Sequence, residues 1–252
     1  MEFDLTGGSA LVTGASRGIG RGIAEGLADA GADVGVNHPP GDEAQAEAQT
    51  VVDQIRENGG TAETFEADVS DRADVQQMIE RFEEAYGTPD TLVNNAGIAP
   101  QSRFTEMPVE MWDRTIAVDL RGVFLLSRFV VPEMLERGSG NIINVASQLG
   151  FKGAEELVHY CAAKGGVISF TRALAREVSP AVKVNAIAPG SINTELTQDL
   201  SEEWREAKAA EIPMGRIGEV DDIVPTALFL ASDKSDYYTG QTLSPDGGDA
   251  MH

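Results

Sequence analysis

The sequence predicts an α/β protein: a single doubly wound domain in which a seven-stranded parallel sheet carries helices on both faces. Three observations predict it. Short apolar runs alternate with helical patterns along all 252 residues, the pattern of β-α-β units on a sheet covered on both sides. A glycine-rich turn directly follows the first apolar run. No internal repeat or low-complexity linker divides the chain, and the length fits one such domain.

Taken in order, strands are expected at 10–13, 34–37, 62–66, 91–94, 141–145, 182–187 and 241–243. Between them, helical patterns run through 21–30, 43–58, 73–86 and 158–178. The segment 191–215 is polar, follows a strand and is long for a connection, so it reads as a substrate lid. Ligands of such a fold bind at the carboxyl ends of the strands.

Composition narrows the function. Hydrophobic residues make up 42% of the chain, enough for a packed interior. No run approaches the roughly 18 apolar residues of a membrane span, and no secretory leader pattern opens the chain. Cys161 is the single cysteine, so no internal disulfide forms. A soluble cytoplasmic protein is expected. Asp and Glu number 41 against 19 Lys and Arg, a net charge of −22, and only five of those 19 are lysines. Nucleic acid and membrane are therefore not expected as partners. Self-repulsion at this charge is relieved by salt, since the screening length falls to about 3 Å at 1 M. Adaptation to a salty cytoplasm is one reading, and an ordinary acidic enzyme is the other. His38, His159 and His252 are scattered and no His/Cys pair has ligand spacing, so no metal is expected.

The turn reads Thr13-Gly14-Ala15-Ser16-Arg17-Gly18-Ile19-Gly20. Its spacing G-x-x-x-G-x-G differs from the common dinucleotide pattern G-x-G-x-x-G. It still lets backbone pass close to a pyrophosphate and aims a helix N-terminus at it. Further on, Tyr160 and Lys164 lie four apart in a helical pattern and share one face. A free phenol, with a pKa near 10, is nearly inert as a base at neutral pH. An ammonium nearby favours the phenolate. Bringing the value to about 7 takes roughly 4 kcal/mol, which one close cation plus a positively charged nicotinamide could supply, giving a general acid/base.

The glycine turn, Asn94-Asn95-Ala96-Gly97, Ser147, Tyr160-Cys161-Ala162-Ala163-Lys164 and Pro189-Gly190 fall in order along the chain. Together they resemble the short-chain dehydrogenase/reductase family over nearly its whole length. Within it they resemble 3-oxoacyl-thioester reductases and glucose dehydrogenase-like members. The resemblance implies a Rossmann-like fold, a nicotinamide cofactor, commonly a homo-tetramer, and roles for particular residues. Tyr160 would be the acid/base, Lys164 would hold the nicotinamide ribose and lower the tyrosine's pKa, and Ser147 would bond the reacting oxygen. Gly14, Ser16, Arg17, Gly18, Ile19 and Gly20 would hold the pyrophosphate. Asp68 and Val69 would meet the adenine. Asn94, Ala96 and Gly97 would follow the ribose, and Pro189, Gly190, Ile192 and Thr194 the nicotinamide.

One position departs from the family. Where an asparagine is usual, this chain has Val118-Asp119-Leu120. Either only the backbone carbonyl of Asp119 matters, or its carboxylate retunes the proton relay around Lys164. The cofactor expected is NADP(H), with NAD(H) as the alternative. The second strand ends Val36-Asn37-His38-Pro39-Pro40 with no acid to meet a ribose 2′-hydroxyl until Asp42, and Arg17 could pair with a 2′-phosphate. His38 could serve either ribose. Candidate substrate contacts are Ser147, Gln148, Leu149, Phe151, Glu155, Glu156, Leu157, Val158 and Tyr160. A 3-oxoacyl thioester, a small ketone and a sugar all remain open as the small-molecule substrate. A non-catalytic nucleotide sensor or scaffold on the same fold is the competing reading.

Overall fold

The computed structural model describes residues 3–194 and 201–251. Seven parallel strands form one sheet: β1 (Ser9–Val12), β2 (Asp33–His38), β3 (Thr61–Glu66), β4 (Thr91–Asn94), β5 (Gly140–Val145), β6 (Val182–Ile187) and β7 (Thr242–Leu243). Their order is β3-β2-β1-β4-β5-β6-β7. The direction of winding reverses between β1 and β4, so the crevice of the fold opens at their carboxyl ends.

Helices α1 (Gly18–Asp29), α2 (Asp42–Glu57) and α3 (Arg72–Tyr86) link the first four strands. α4 (Val109–Ile116) runs through a π-helical turn at Ala117–Arg121 into α5 (Gly122–Arg137). α6 (Leu149–Lys152) and α7 (Val158–Val178) lie between β5 and β6, and α8 (Glu202–Glu211) and α9 (Val224–Ala231) between β6 and β7. Asp71 caps α3 by accepting from the N–H groups of Ala73 at 2.7 Å and Asp74 at 3.1 Å. Gly138 ends α5 in a left-handed conformation.

Alternate residues of each strand feed opposite faces. Ala10 and Val12 of β1 join Ile23 and Leu27 of α1, Val51 and Ile55 of α2, and Leu230 of α9 on one face. Leu11, between them, packs on the other with Met78 and Phe82 of α3 and Leu126 and Met134 of α5. Phe82 comes so close to β2 that a Cβ on Gly35 would lie 2.7 Å from its ring, which is why a strand interior accepts glycine there.

The expected strands all form, with ends shifted by a residue or so. The first helix starts three residues earlier than its apolar periodicity suggested, because the glycine turn itself supplies its first turn. The expected lid contains the isolated bridge Ile192–Gly218 and α8, while its residues 195–200 lie outside the described part. No helix among the described residues is long and apolar enough to cross a membrane. All five lysines are engaged with acids: Lys152 and Lys208 with Asp249, Lys164 with Asp119, Lys183 with Asp236 and Lys234 with Asp233.

Candidate active site

The crevice between β1 and β4 is lined on one side by the glycine turn. Gly14 (φ 59°) and Gly18 (φ 56°) take left-handed conformations, and a Cβ on Gly14 would lie 2.8 Å from Ala96 Cα. The N-terminal N–H groups of α1 receive no side-chain cap, so they are available to an anion. Asn95 clamps the turn to β4: its Nδ2 donates to the carbonyls of Thr13 at 2.9 Å and Gly14 at 3.0 Å, while its N–H and that of Ala96 donate to Thr13 Oγ1. Asn37 Oδ1 accepts from Gly14 N–H at 3.1 Å, and its Nδ2 reaches the Phe65 carbonyl of β3 at 3.0 Å. Thr13, Asn37 and Asn95 are the residues that sequence reasoning gave no role. Asn37 is a buried amide at a strand end, which needs partners. This bare glycine cradle and open helix end fit a dinucleotide.

The expected cofactor contacts divide into two groups. Ser16 and Arg17 stand at the turn, where Glu47 of α2 meets both, at 3.2 Å from Ser16 Oγ and 3.8 Å from Arg17. The strand end itself carries no acid, as expected, but helix packing brings a carboxylate to the turn from nine residues beyond β2. Asp68 is held by Ser70 N–H and Oγ and pairs with Arg114 at 3.0 Å. Burial works to raise its pKa, but these partners outweigh it and hold the carboxyl below its usual value. Val69 is buried against Gly122. Gly190 packs on the C-terminal segment, Pro189 accepts from Gln148 N–H at 3.1 Å, and Ile192 is buried. Thr194 and Ile19 are part-exposed.

Two expected contacts turn inward. His38 is fully buried with Nδ1 against the Pro39 carbonyl at 2.9 Å, so its ring is not presented at the ribose. The Asn94 amide is buried and donates to Asn144 at 2.8 Å, crossing from β4 to β5. The Nδ2 of this amide ties the two strands together.

The candidate reacting groups, Ser147, Tyr160 and Lys164, converge where β5 ends and α7 begins. Ser147 follows β5; its Oγ accepts from Leu149 N–H at 3.1 Å and lies close enough to the Tyr160 phenol to favour the phenolate. Lys164 lies one turn further along α7, with Nζ 5.5 Å from the Tyr160 ring centre. The ammonium is buried. It donates to the Val145 carbonyl at 3.0 Å and stands 3.3 Å from Asp119 Oδ2. Asp119 is fully buried in the π-turn, and its Oδ1 accepts from Ile98 N–H at 2.9 Å. Gly97 makes the space: a Cβ there would lie 2.8 Å from Asp119 Oδ2 and 3.2 Å from Lys164 Nζ.

Burial pushes the Tyr160 phenol up, Lys164 pulls it down, Asp119 pushes it up again, and the net direction is upward. The lysine lowers the phenol's pKa in the expected direction, and the expected approach to neutral pH calls on the nicotinamide's positive charge as well. Lys164 is held firmly protonated: burial disfavours its charge, but Asp119 more than compensates. Burial raises the Asp119 carboxyl, with Lys164 and the Ile98 N–H opposing. Thus the side chain of Asp119 bonds directly to Lys164 and to the Ile98 N–H.

Of the expected substrate contacts, Leu149 is part-exposed and Phe151 packs against the cluster of Val123, Ala146, Val167 and Ile168. Gln148 is buried, Glu155 is exposed, and Val158 is exposed at the start of α7. Glu156 has φ 61°, and its carbonyl accepts from Ser102 N–H, so it serves as a joint more than a wall. Leu157 flanks the same helix start. Cys161 is a part-buried free thiol. Among the described residues no group of His, Cys, Asp and Glu could hold a metal.

Comparison with known proteins agrees with this geometry. A family model described as enoyl-(acyl carrier protein) reductase matches residues 14–249. The chain is 44% identical over 241 residues to a 3-oxoacyl-[acyl-carrier-protein] reductase of Staphylococcus aureus, covering 95% of this chain and 97% of that one. A putative gluconate dehydrogenase from Agrobacterium tumefaciens superposes with a TM-score of 0.94 at 36% identity, covering 99% of this chain and 98% of that one. A gluconate 5-dehydrogenase from Burkholderia cenocepacia, solved with NADP and tartrate, gives 0.92 at 36% identity over 98% and 97%. The chain belongs to the short-chain dehydrogenase/reductase family, as an NAD(P)-dependent oxidoreductase of the kind that acts on CH–OH groups.

Proposed function

We propose that this protein interconverts a ketone and a secondary alcohol with NADP(H), the substrate being a 3-oxoacyl thioester, a small ketone or a sugar-derived ketone. The observation that carries the reading is the convergence of Ser147, Tyr160 and Lys164 at the mouth of the crevice. The bound nicotinamide supplies or accepts the hydride. Tyr160 Oη gives its proton to the carbonyl oxygen in reduction and takes it from the alcohol in oxidation. Ser147 Oγ donates to the same oxygen and steadies its growing charge. Lys164 holds positive charge beside the phenol, favouring the proton's departure.

NADP(H) is supported by Arg17, whose side chain is more than half exposed and whose contact to Glu47 is long. Such an exposed pair is worth little, so the guanidinium is free to turn to a phosphate. The solved gluconate 5-dehydrogenase relative carries NADP. The relatives support two substrate classes, a 3-oxoacyl thioester and a sugar acid. Self-association, as a homo-tetramer, is supported by Phe124 and Leu135 on α5 and Val158 on α7, apolar side chains left exposed in the single chain. Adaptation to high salt is supported by the net charge of −22.

The test is a panel of acetoacetyl-coenzyme A, 5-ketogluconate and small ketones with NADPH and NADH, in dilute and molar salt. Turnover with NADPH is expected for at least one. Tyr160→Phe removes the proton donor and lowers kcat by about 10²–10⁴-fold, while NADPH binding by fluorescence stays within about twofold. Intact cofactor binding without turnover in any condition favours the sensor reading, and an active Tyr160→Phe variant removes the acid/base assignment.

A further inference from the structure

The chain after β7 threads between three parts of the crevice. It packs under the Pro189-Gly190 turn so tightly that a Cβ on Gly190 would lie 2.8 Å from Asp246 Cα. Asp246 folds the segment back by accepting from Gly248 N–H at 2.8 Å and Ala250 N–H at 3.0 Å. Met214, beyond the lid helix α8, donates its N–H to the Gly247 carbonyl at 3.2 Å. These turns deliver Asp249 to a point where elements distant in sequence meet. Its carboxylate accepts from Gln148 Nε2 at 2.7 Å, Lys152 Nζ at 2.6 Å and Lys208 Nζ at 2.8 Å. Gln148 directly follows Ser147, Lys152 ends α6, and Lys208 lies on α8. The Asp249 side chain is 6% exposed and that of Lys208 is 13%.

We propose that Asp249 is a positioning residue, a latch that ties the lid helix to the turn carrying Ser147. Two of the five lysines in a chain of net charge −22 converge on this one carboxylate. Among the described residues Lys208 has one other acid within reach, Glu211 on its own helix at 3.2 Å, so its tie across the crevice there is Asp249. Hydrogen bonds between charged partners are shorter and about twice as strong as neutral ones, and low exposure protects them from screening by salt. The same carboxylate commits the Gln148 amide: with Nε2 donating to Asp249, Oε1 is left buried and without a donor. Three donors hold the Asp249 carboxyl at about 2 against the pull of burial. The latch therefore stays charged at any working pH and is not a pH switch. Lid closure and placement of the turn beside Ser147 become a single event. The tie between lid and turn is independent of the reductase reading, whereas its effect on substrate affinity rests on that reading.

The test compares wild type, Asp249→Asn, Lys208→Met and the double variant by hydrogen–deuterium exchange and by steady-state kinetics. In Asp249→Asn, amides of residues 202–211 are expected to exchange about tenfold faster, while those of α2 (42–57) are unchanged, the scale set by losing a charge-assisted tie. For whichever of acetoacetyl-coenzyme A and 5-ketogluconate the wild type turns over, KM rises about tenfold and kcat stays within about twofold. The double variant is expected to be no worse than the more affected single variant, since both remove one tie. Unchanged exchange in 202–211, or an equal rise in α2, overturns the latch. The exchange measurement decides this even when no substrate on the panel is turned over, so failure of the reductase reading and failure of the latch remain distinguishable.

Discussion

Replacing Asp119 by asparagine removes one charge from the centre of the site and almost nothing else. The amide is nearly isosteric, and its Oδ1 can still accept from Ile98 N–H, which the carboxylate meets at 2.9 Å. Oδ2 stands 3.3 Å from Lys164 Nζ, which is 5.5 Å from the Tyr160 ring centre, so the carboxylate lies within about 9 Å of the phenol ring. A unit charge at about 9 Å with an effective dielectric near 20 is worth about 2 kcal/mol. Asp119 disfavours the phenolate, so its loss lowers the Tyr160 pKa. Reduction needs the protonated phenol and fails as pH rises through that pKa. The alkaline limb for carbonyl reduction therefore moves to lower pH in Asp119→Asn, and the acid limb for alcohol oxidation moves the same way. The titratable groups facing this site are Lys164, Tyr160, Cys161 and His159 from α7 and Asp119 from the π-turn. All but Asp119 are unchanged in the variant. Ultraviolet titration of tyrosine in the cofactor-free protein, with Tyr160→Phe as blank, reads the same shift without turnover. Superimposable profiles, or a shift upward, would refute the assignment of a working charge to Asp119.

Two further predictions test the surroundings. Gly97→Ala places a methyl group 2.8 Å from Asp119 Oδ2 and 3.2 Å from Lys164 Nζ. Overpacking of this kind costs about 1–3 kcal/mol, seen as a lower Tm, and kcat falls by at least about tenfold because the ammonium is displaced; an unchanged Tm and kcat would show that the pair has room to spare. Raising salt from dilute buffer to about 1 M shrinks the screening length to about 3 Å and is expected to raise Tm steadily, beyond the rise shown by a near-neutral member of the same family. An equal rise in both would leave the charge of −22 without an adaptive role.

Much of this was legible because it is local. Strand positions follow from apolar runs between turn residues, and Tyr160 and Lys164 fall on one face because helical spacing dictates it. The glycine turn announced itself by composition. What stayed hidden depends on residues distant in sequence. Nothing near Asp119 shows that a π-turn will aim its carboxylate at Lys164, 45 residues on. Glu47 reaches Ser16 and Arg17 only because α2 packs beside α1. His38 read as a cofactor contact from its place at a strand end, and Asn94 from the family resemblance. Which way each side chain turns was decided by buried partners, the Pro39 carbonyl and Asn144, on other parts of the chain. The pairing of Gln148 with Asp249 spans 101 residues and leaves no periodic trace.

The engagement of every lysine with an acid has a consequence for chemistry done on this protein from outside. Amine-directed reagents find Lys164 sealed and Lys183 and Lys208 mostly covered, with Lys152 and Lys234 only about a third open. Acylating agents and amine-coupling resins depend on accessible amines, and each of these is held against a carboxylate. The folded chain should thus be a poor substrate for lysine labelling and the unfolded chain a good one. That contrast makes the amines themselves a reporter of whether the molecule is intact.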